Sequence, residues 1–153
     1  MRLKTSYSAR EVAALTGLSA RQLQGWDDAA IFPSAIAPRR TIAGGFTERR
    51  YSPVDVIELL ALADLRRRGF TPAALKQMMD TLCQFFRRRL SETIDDAGEM
   101  RLLTDGKGLF LRTVQGHIFD LLVDPTQPLI TGDGLGLEPV TPRAKRKRRA
   151  ARG

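Results

Sequence analysis

The strongest constraint on this chain is a pair of short helical segments separated by a glycine turn. Residues 7–28 read YSAREVAALTGLSARQLQGWDD. Ser8 with Glu11, and Ser19 with Gln22, fit the S/T-x-x-E/Q pattern, in which two side chains reciprocally satisfy orphan backbone N–H groups at a helix start. Gly17 stands where the first helix has to stop, because a positive φ is cheap only without a Cβ. Val12, Leu15, Leu18, Leu23 and Trp26 supply apolar contacts that pack the two helices at an angle. Arg21, Gln22 and Gln24 then remain outward on the second helix, side chains of the kind that reach base edges and phosphates. Two capped helices around a glycine turn favour double-stranded DNA as the partner.

Further along, residues 31–42 and 46–50 read as a β-hairpin wing with its loop around Ala43-Gly44-Gly45, lined by Arg39, Arg40, Arg49 and Arg50. Ser52-Pro53 starts a third helix, with serine as N-cap and proline at the first helical position. Arg66-Arg67-Arg68 closes it with charge that suits a helix C-terminus, and Gly69 ends it. Thr71-Pro72 starts a fourth helix by the same device. Leu75, Met78, Met79, Leu82, Phe86 and Leu90 form one apolar stripe widened by Cys83 and Phe85, and Gly98 closes the helical region. That stripe is long for a monomer, so Met79, Leu82, Phe85 and Phe86 are expected to face a second copy of the chain. Period-two runs around TDGKG (104–108) then predict a small β-meander, and from residue 131 the Gly/Pro-rich chain leads into RAKRKRRAARG.

As an ordered set, VAALTGLS (12–19), RQLQGW (21–26), Phe32-Pro33-Ser34, GGFTERRYSPVDV (44–56) and LRRRGFTPAAL (65–75) resemble the MerR-type winged-helix regulators. The resemblance covers roughly the first half of the chain. Where that family's second helix often carries Arg-aromatic-aromatic, this chain has Gln24, Gly25 and Trp26. The resemblance implies a dimeric bacterial transcription factor, with Arg49 on the phosphate backbone and Tyr51 beside it in the wing. It also implies a bent or untwisted promoter whose fit to RNA polymerase changes.

The expected fold is mainly α (α+β). Residues 1–82 form a winged helix-turn-helix DNA-binding domain, 83–98 the end of a dimerisation helix, 99–130 the β-meander and 131–153 a disordered basic tail. The helix at 20–28 would enter a major groove, and two-fold pairing of a homodimer would require a pseudo-palindromic operator.

Charge agrees with a polyanionic partner. The net charge of +8 divides into +7 over residues 1–90, −6 over 91–140 and +7 over 141–153. Basic charge lies on the helix-turn-helix half and the tail, while the middle is acidic. The tail reads as an electrostatic arm that adds affinity without specificity. No apolar run approaches the ~20 residues that span a bilayer, and the N-terminus lacks the apolar stretch of a secretory signal. A single cysteine fits a reducing cytoplasm, with the protein expected on the nucleoid. Cys83 itself is expected as a small buried hydrophobe.

His117 and Cys83 lack the companions a metal site needs, and no cofactor is expected. The Gly-rich TGDGLG (131–136) lacks the Lys-Ser/Thr ending of a phosphate loop and reads as a linker. Glu92, Asp95, Asp96 and Glu99 read as a solvated helix end. No arrangement of nucleophile, base and acid is placed for catalysis, so an enzyme is not expected. Two other classes are compatible with the residues: an excisionase-like architectural DNA-binding protein, and an antitoxin-type autoregulator whose C-terminal part binds a partner protein.

Overall fold

Hydroxyl side chains at helix starts set the architecture of this computed structural model, which describes residues 6–32, 50–129 and 136–142. β1 (Tyr7–Ser8) leads into α1 (Ala9–Thr16), and α2 spans Ala20–Asp28. Ser8 Oγ accepts from the Glu11 N–H at 3.1 Å, and the Ser8 N–H donates to Glu11 Oε1 at 3.0 Å. Ser19 and Gln22 repeat the exchange at 3.0 and 2.8 Å. Gly17 takes φ 83° and donates its N–H to Ala13 O at 2.9 Å, closing α1. Thr16 fastens the turn from within: its hydroxyl donates to Val12 O at 2.8 Å and accepts from the Leu18 N–H at 3.1 Å.

β2 (Arg50–Tyr51) pairs antiparallel with β1, placing Tyr51 opposite Tyr7. α3 (Pro53–Arg67) carries a third reciprocal cap, Ser52 with Asp55, and α4 (Pro72–Phe86) is capped by the Thr71 hydroxyl. Proline stands at the start of both helices, where its missing N–H leaves nothing unsatisfied. A short 3-10 helix, Leu90–Thr93, follows. Next comes an antiparallel sheet in the order β5-β4-β3-β6, made of β3 (Arg101–Thr104), β4 (Leu109–Arg112), β5 (Ile118–Asp120) and β6 (Glu138–Pro139).

Helices and sheet share one core. Val12, Leu23 and Trp26 from the first two helices join Leu59, Leu62 and Leu65 of α3 and Leu75, Met78 and Leu82 of α4. Leu90, Leu102, Leu109, Leu111, Leu121 and Val140 continue the same cluster. Each fully buried leucine stabilises the fold by about 1.5–3 kcal/mol. The result is an α+β fold with a helix-turn-helix.

Several expectations are corrected here. The fourth helix does not run on toward Gly98. Arg87 adopts φ 54°, the left-handed conformation that ends helices, and Arg88 N–H turns back to Leu82 O at 3.0 Å. Leu82, expected at a partner surface, is fully buried in its own protomer. Phe86 packs edge-on against Phe119 of the sheet, with ring centroids 5.2 Å apart. Cys83, one residue off the buried 75/78/82 stripe, is exposed rather than buried, and Leu15 is exposed on α1.

Tyr51, expected at the DNA, is a fully buried core residue, so its ring supports the fold instead. The disorder expected from residue 131 is interrupted at β6, where Val140 fills the core and donates its N–H to Leu102 O at 2.9 Å. The wing expected over 31–50, with Arg39, Arg40 and Arg49, lies outside the described residues except at its ends. The tail beyond Pro142 also lies outside them.

Candidate nucleic-acid interface

α2 is held at both ends and along one side, and its other side faces outward. Ser19 caps its start, while Ile31 and Phe32 donate their N–H groups to Trp26 O at 2.9 and 3.2 Å just past its end. Leu23 and Trp26 are buried inward. At 100° per residue that puts Arg21, Gln24, Gly25 and Asp28 around the opposite direction, and all four are exposed. Gln22 lies on the flank. Its Oε1 is engaged by the Ser19 N–H, which leaves its NH₂ as the group able to donate outward.

This geometry brings together the sequence-predicted Arg21, Gln22 and Gln24 on one rigid helix. A guanidinium and an amide offer the bidentate donor and acceptor sets that guanine and adenine edges require. Arg10, on α1, is a second exposed arginine of the helix-turn-helix. Arg50, opposite Ser8 in β2, is half-buried, with its Nη2 donating to Ser6 Oγ at 2.7 Å. That bond fixes the guanidinium against the start of the chain and makes Arg50 an anchored cation rather than a reaching one.

The two arginine runs serve the fold. Arg67 Nη1 donates to Thr16 O at 3.1 Å, satisfying a carbonyl at the end of α1 from across the domain. Arg66 reaches Phe70 O at 3.4 Å, and Arg68 pairs with Asp64 at 3.2 Å. The Arg66–Arg68 run thus works as a helix-end device, as its position suggested.

Arg89 is the residue that sequence reasoning missed. Its Nε donates to Glu58 Oε2 at 2.9 Å, and its Nη2 bonds both Glu58 Oε1 and Asp55 Oδ1, the latter at 3.2 Å. Both carboxylates sit on α3 and are buried, and Glu58 also accepts the Ser91 N–H at 2.8 Å. The hydrogen bonds to Glu58, with the adjoining negative charge, hold the Arg89 guanidinium still more firmly protonated than usual. A buried Glu58 on an otherwise apolar stripe, three residues after Asp55, was the signal that could have revealed a cation from elsewhere.

The expected partner-facing residues divide. Met79 is half-buried, Leu82 and Phe86 are engaged within the protomer, and Phe85 is 52% exposed. The acidic residues Glu92, Asp95, Asp96 and Glu99 lie in and after the 3-10 turn, where Asp96 pairs with buried Arg101 at 3.0 Å and Glu99 approaches Arg88 at 4.0 Å. Among the described residues no group of three or more His, Cys, Asp or Glu side chains could hold a metal ion. None of the described helices is long and apolar enough to cross a membrane.

No curated protein and no solved structure matches the chain. A family pattern does: that of the MerR HTH family regulatory proteins matches residues 7–82, the stretch containing all four helical starts and most of α4. With its capped helix pair and outward polar face, this half of the chain belongs to the MerR helix-turn-helix family of DNA-binding transcription regulators.

Proposed function

We propose that the protein is a sequence-specific transcriptional regulator that binds double-stranded DNA as a homodimer on a pseudo-palindromic operator. The observation that carries this reading is the outward face of α2, where Arg21 and Gln24 stand exposed on a helix locked by caps at both ends. Arg21 and Gln24 read base edges in the major groove, with Gln22 donating from the flank. Arg39, Arg40 and Arg49, with Arg50, contribute sequence-independent phosphate attraction. Exposed Phe85 and half-buried Met79, both on α4, support a two-fold contact along that helix. The bound site is a promoter, where RNA polymerase is the protein partner, and the seven cations of residues 141–153 strengthen binding to any duplex.

Selection of binding sites from a random duplex library by the full-length protein tests this reading. An inverted repeat with half-sites a fixed distance apart supports it. Recovery of unrelated sequences at equal affinity contradicts it.

A further inference from the structure

The segment that ends at Pro142 leads past an apolar groove with an acidic rim. Val54 and Ile57, about one turn apart on α3, are 40% and 41% exposed. With buried Ile94 and with Pro142 they line a groove of about 490 Å³, and Asp95 and Asp96 line it too. A second cavity, of about 380 Å³, includes Asp95 again and continues to Glu92, Glu99 and Arg88. All four carboxylates are exposed. Asp96 pairs with Arg101, while Glu99 approaches Arg88 at 4.0 Å. Arg143, which follows Pro142 directly, is the first of seven cations in residues 143–152.

We propose that, without DNA, the basic segment 143–153 docks in this groove of its own chain, so that the acidic rim competes with a duplex for its cations. The inference rests on the reading of that segment as a DNA-binding arm. Its reach suffices, since an extended chain covers ~3.3 Å per residue and eleven residues follow Pro142. Its chemistry also fits. Lysine and arginine lay apolar stems along surfaces such as Val54 and Ile57 while their charged heads stay in water at the rim. The same carboxylates repel a duplex. Ion pairs on a surface are individually weak, but a short tether holds the segment at a local concentration in the ~mM range, which populates them. Binding a duplex then requires the segment to exchange one polyanion for another.

Two readouts on the full-length chain test the proposal. The first is carbodiimide coupling without DNA, mapped by mass spectrometry in a mixture of isotopically light and heavy protein. It should join Lys145 or Lys147 to Asp95, Asp96 or Glu99 within one chain, and an added random-sequence duplex should suppress those links. The second is fluorescence anisotropy on that duplex at low salt, comparing Asp95→Asn with Glu99→Gln in two backgrounds. One background is the native tail, and the other carries Lys145→Gln, Arg146→Gln, Lys147→Gln and Arg148→Gln. These carboxylate substitutions leave Asp96 on Arg101 and Glu92 on the Arg89 N–H, and asparagine keeps an acceptor for the Ala97 N–H. They should tighten binding about fivefold with the native tail and less than about twofold with the neutral one. Equal tightening in both backgrounds would overturn the proposal, because the carboxylates would then act on DNA without the tail. Links only between two chains, or none to the acidic rim, would also overturn it. If neutralising the tail leaves duplex affinity unchanged, the reading of the tail as a DNA-binding arm fails, and the links alone decide whether it docks.

Discussion

The helix-turn-helix and the segment from Arg87 to Val140 solve the same problem by opposite means. In the first, most shaping contacts are local: Ser8 with Glu11, Thr16 with Val12, Ser19 with Gln22, and Trp26 with Ile31 and Phe32 just past its helix, with Arg67 on Thr16 O as a long-range addition. In the second they are distant. Arg89 reaches Glu58 and Asp55, 31 and 34 residues away. Gln77 donates to Leu122 O at 2.8 Å and Thr81 to Leu121 O at 3.4 Å, binding α4 to the chain beyond β5. Arginine shows the contrast within one residue type. Arg21 points out of a helix whose own needs are met by its caps, whereas Arg89 turns inward to neutralise two buried carboxylates. A region stabilised by local exchange has polar side chains left for a partner. A region that needs long-range ion pairs directs its charge into the fold.

The largest expected effect breaks the inward half of that comparison. Arg89→Met leaves Asp55 and Glu58 buried without their cation, and should destabilise the protein by about 3 kcal/mol in chemical denaturation. The Arg89 side chain is about half exposed, which holds the figure at the low end of the range for buried pairs. Adding Glu58→Gln to Arg89→Met should recover part of the loss, since the double variant removes a buried charge. A single variant as stable as wild type would mean that the ion pair is ornamental.

The next effect concerns the outward half. Arg21→Ala should leave the melting temperature within a degree or so, because surface substitutions change stability by less than about 0.5 kcal/mol. It should lower discrimination between operator and random DNA by about 2 kcal/mol, read as a ratio of dissociation constants at fixed salt. Ser19→Ala, which removes the cap of that same helix, should cost about 1 kcal/mol of stability. Urea melts of the two variants side by side separate a side chain that reads DNA from one that builds its platform.

The local half was legible in the sequence for the reason it is local. Each reciprocal cap is a two-residue pattern three positions apart, and Gly17 marks its own turn. The stripe 75, 78, 82 was equally readable, but its continuation was not. Whether Phe86 meets a partner or the protein's own Phe119 depends on a strand more than thirty residues later, which no periodicity reveals. The left-handed Arg87 ends α4 without a glycine, so the usual sign was missing. Tyr51 followed the expected pattern in sequence yet lies in the core, because β1 and β2 pair in a register that places it opposite Tyr7. The strand at Glu138–Pro139 was hidden in a Gly/Pro-rich stretch and is anchored by buried Val140, docked on β3.

That last strand also sharpens where the basic tail can be cut. Deleting residues 143–153 should flatten the dependence of log K on log salt by about 0.9 for each phosphate that the tail no longer neutralises, with the fold intact. Deleting from residue 137 should in addition lower stability by about 2 kcal/mol, because buried Val140 goes with it. Equal melting temperatures for the two truncations would show that β6 contributes nothing.

The smallest effect belongs to the turn between β3 and β4. The N–H groups of Gly108 and Lys107 hydrogen-bond the Asp105 carboxylate and hold its pKa below the ordinary value. A depressed carboxylate stabilises the fold above its unfolded pKa, near ~3.9, and that share is lost as pH falls through the folded value. Asp105→Asn should therefore lower stability slightly at pH 7 and leave it unchanged at the acid end of a pH series of melts.

The central claim is that the outward face of α2 reads DNA sequence. Its most direct test is the affinity ratio between the selected operator and a scrambled duplex, measured by anisotropy at one salt concentration for wild type and Arg21→Ala. The account predicts a ratio for wild type of at least ~10³, falling by about thirtyfold in the variant while affinity for scrambled DNA changes far less. A ratio that is the same in both proteins, or a variant that weakens on both duplexes equally, would contradict it.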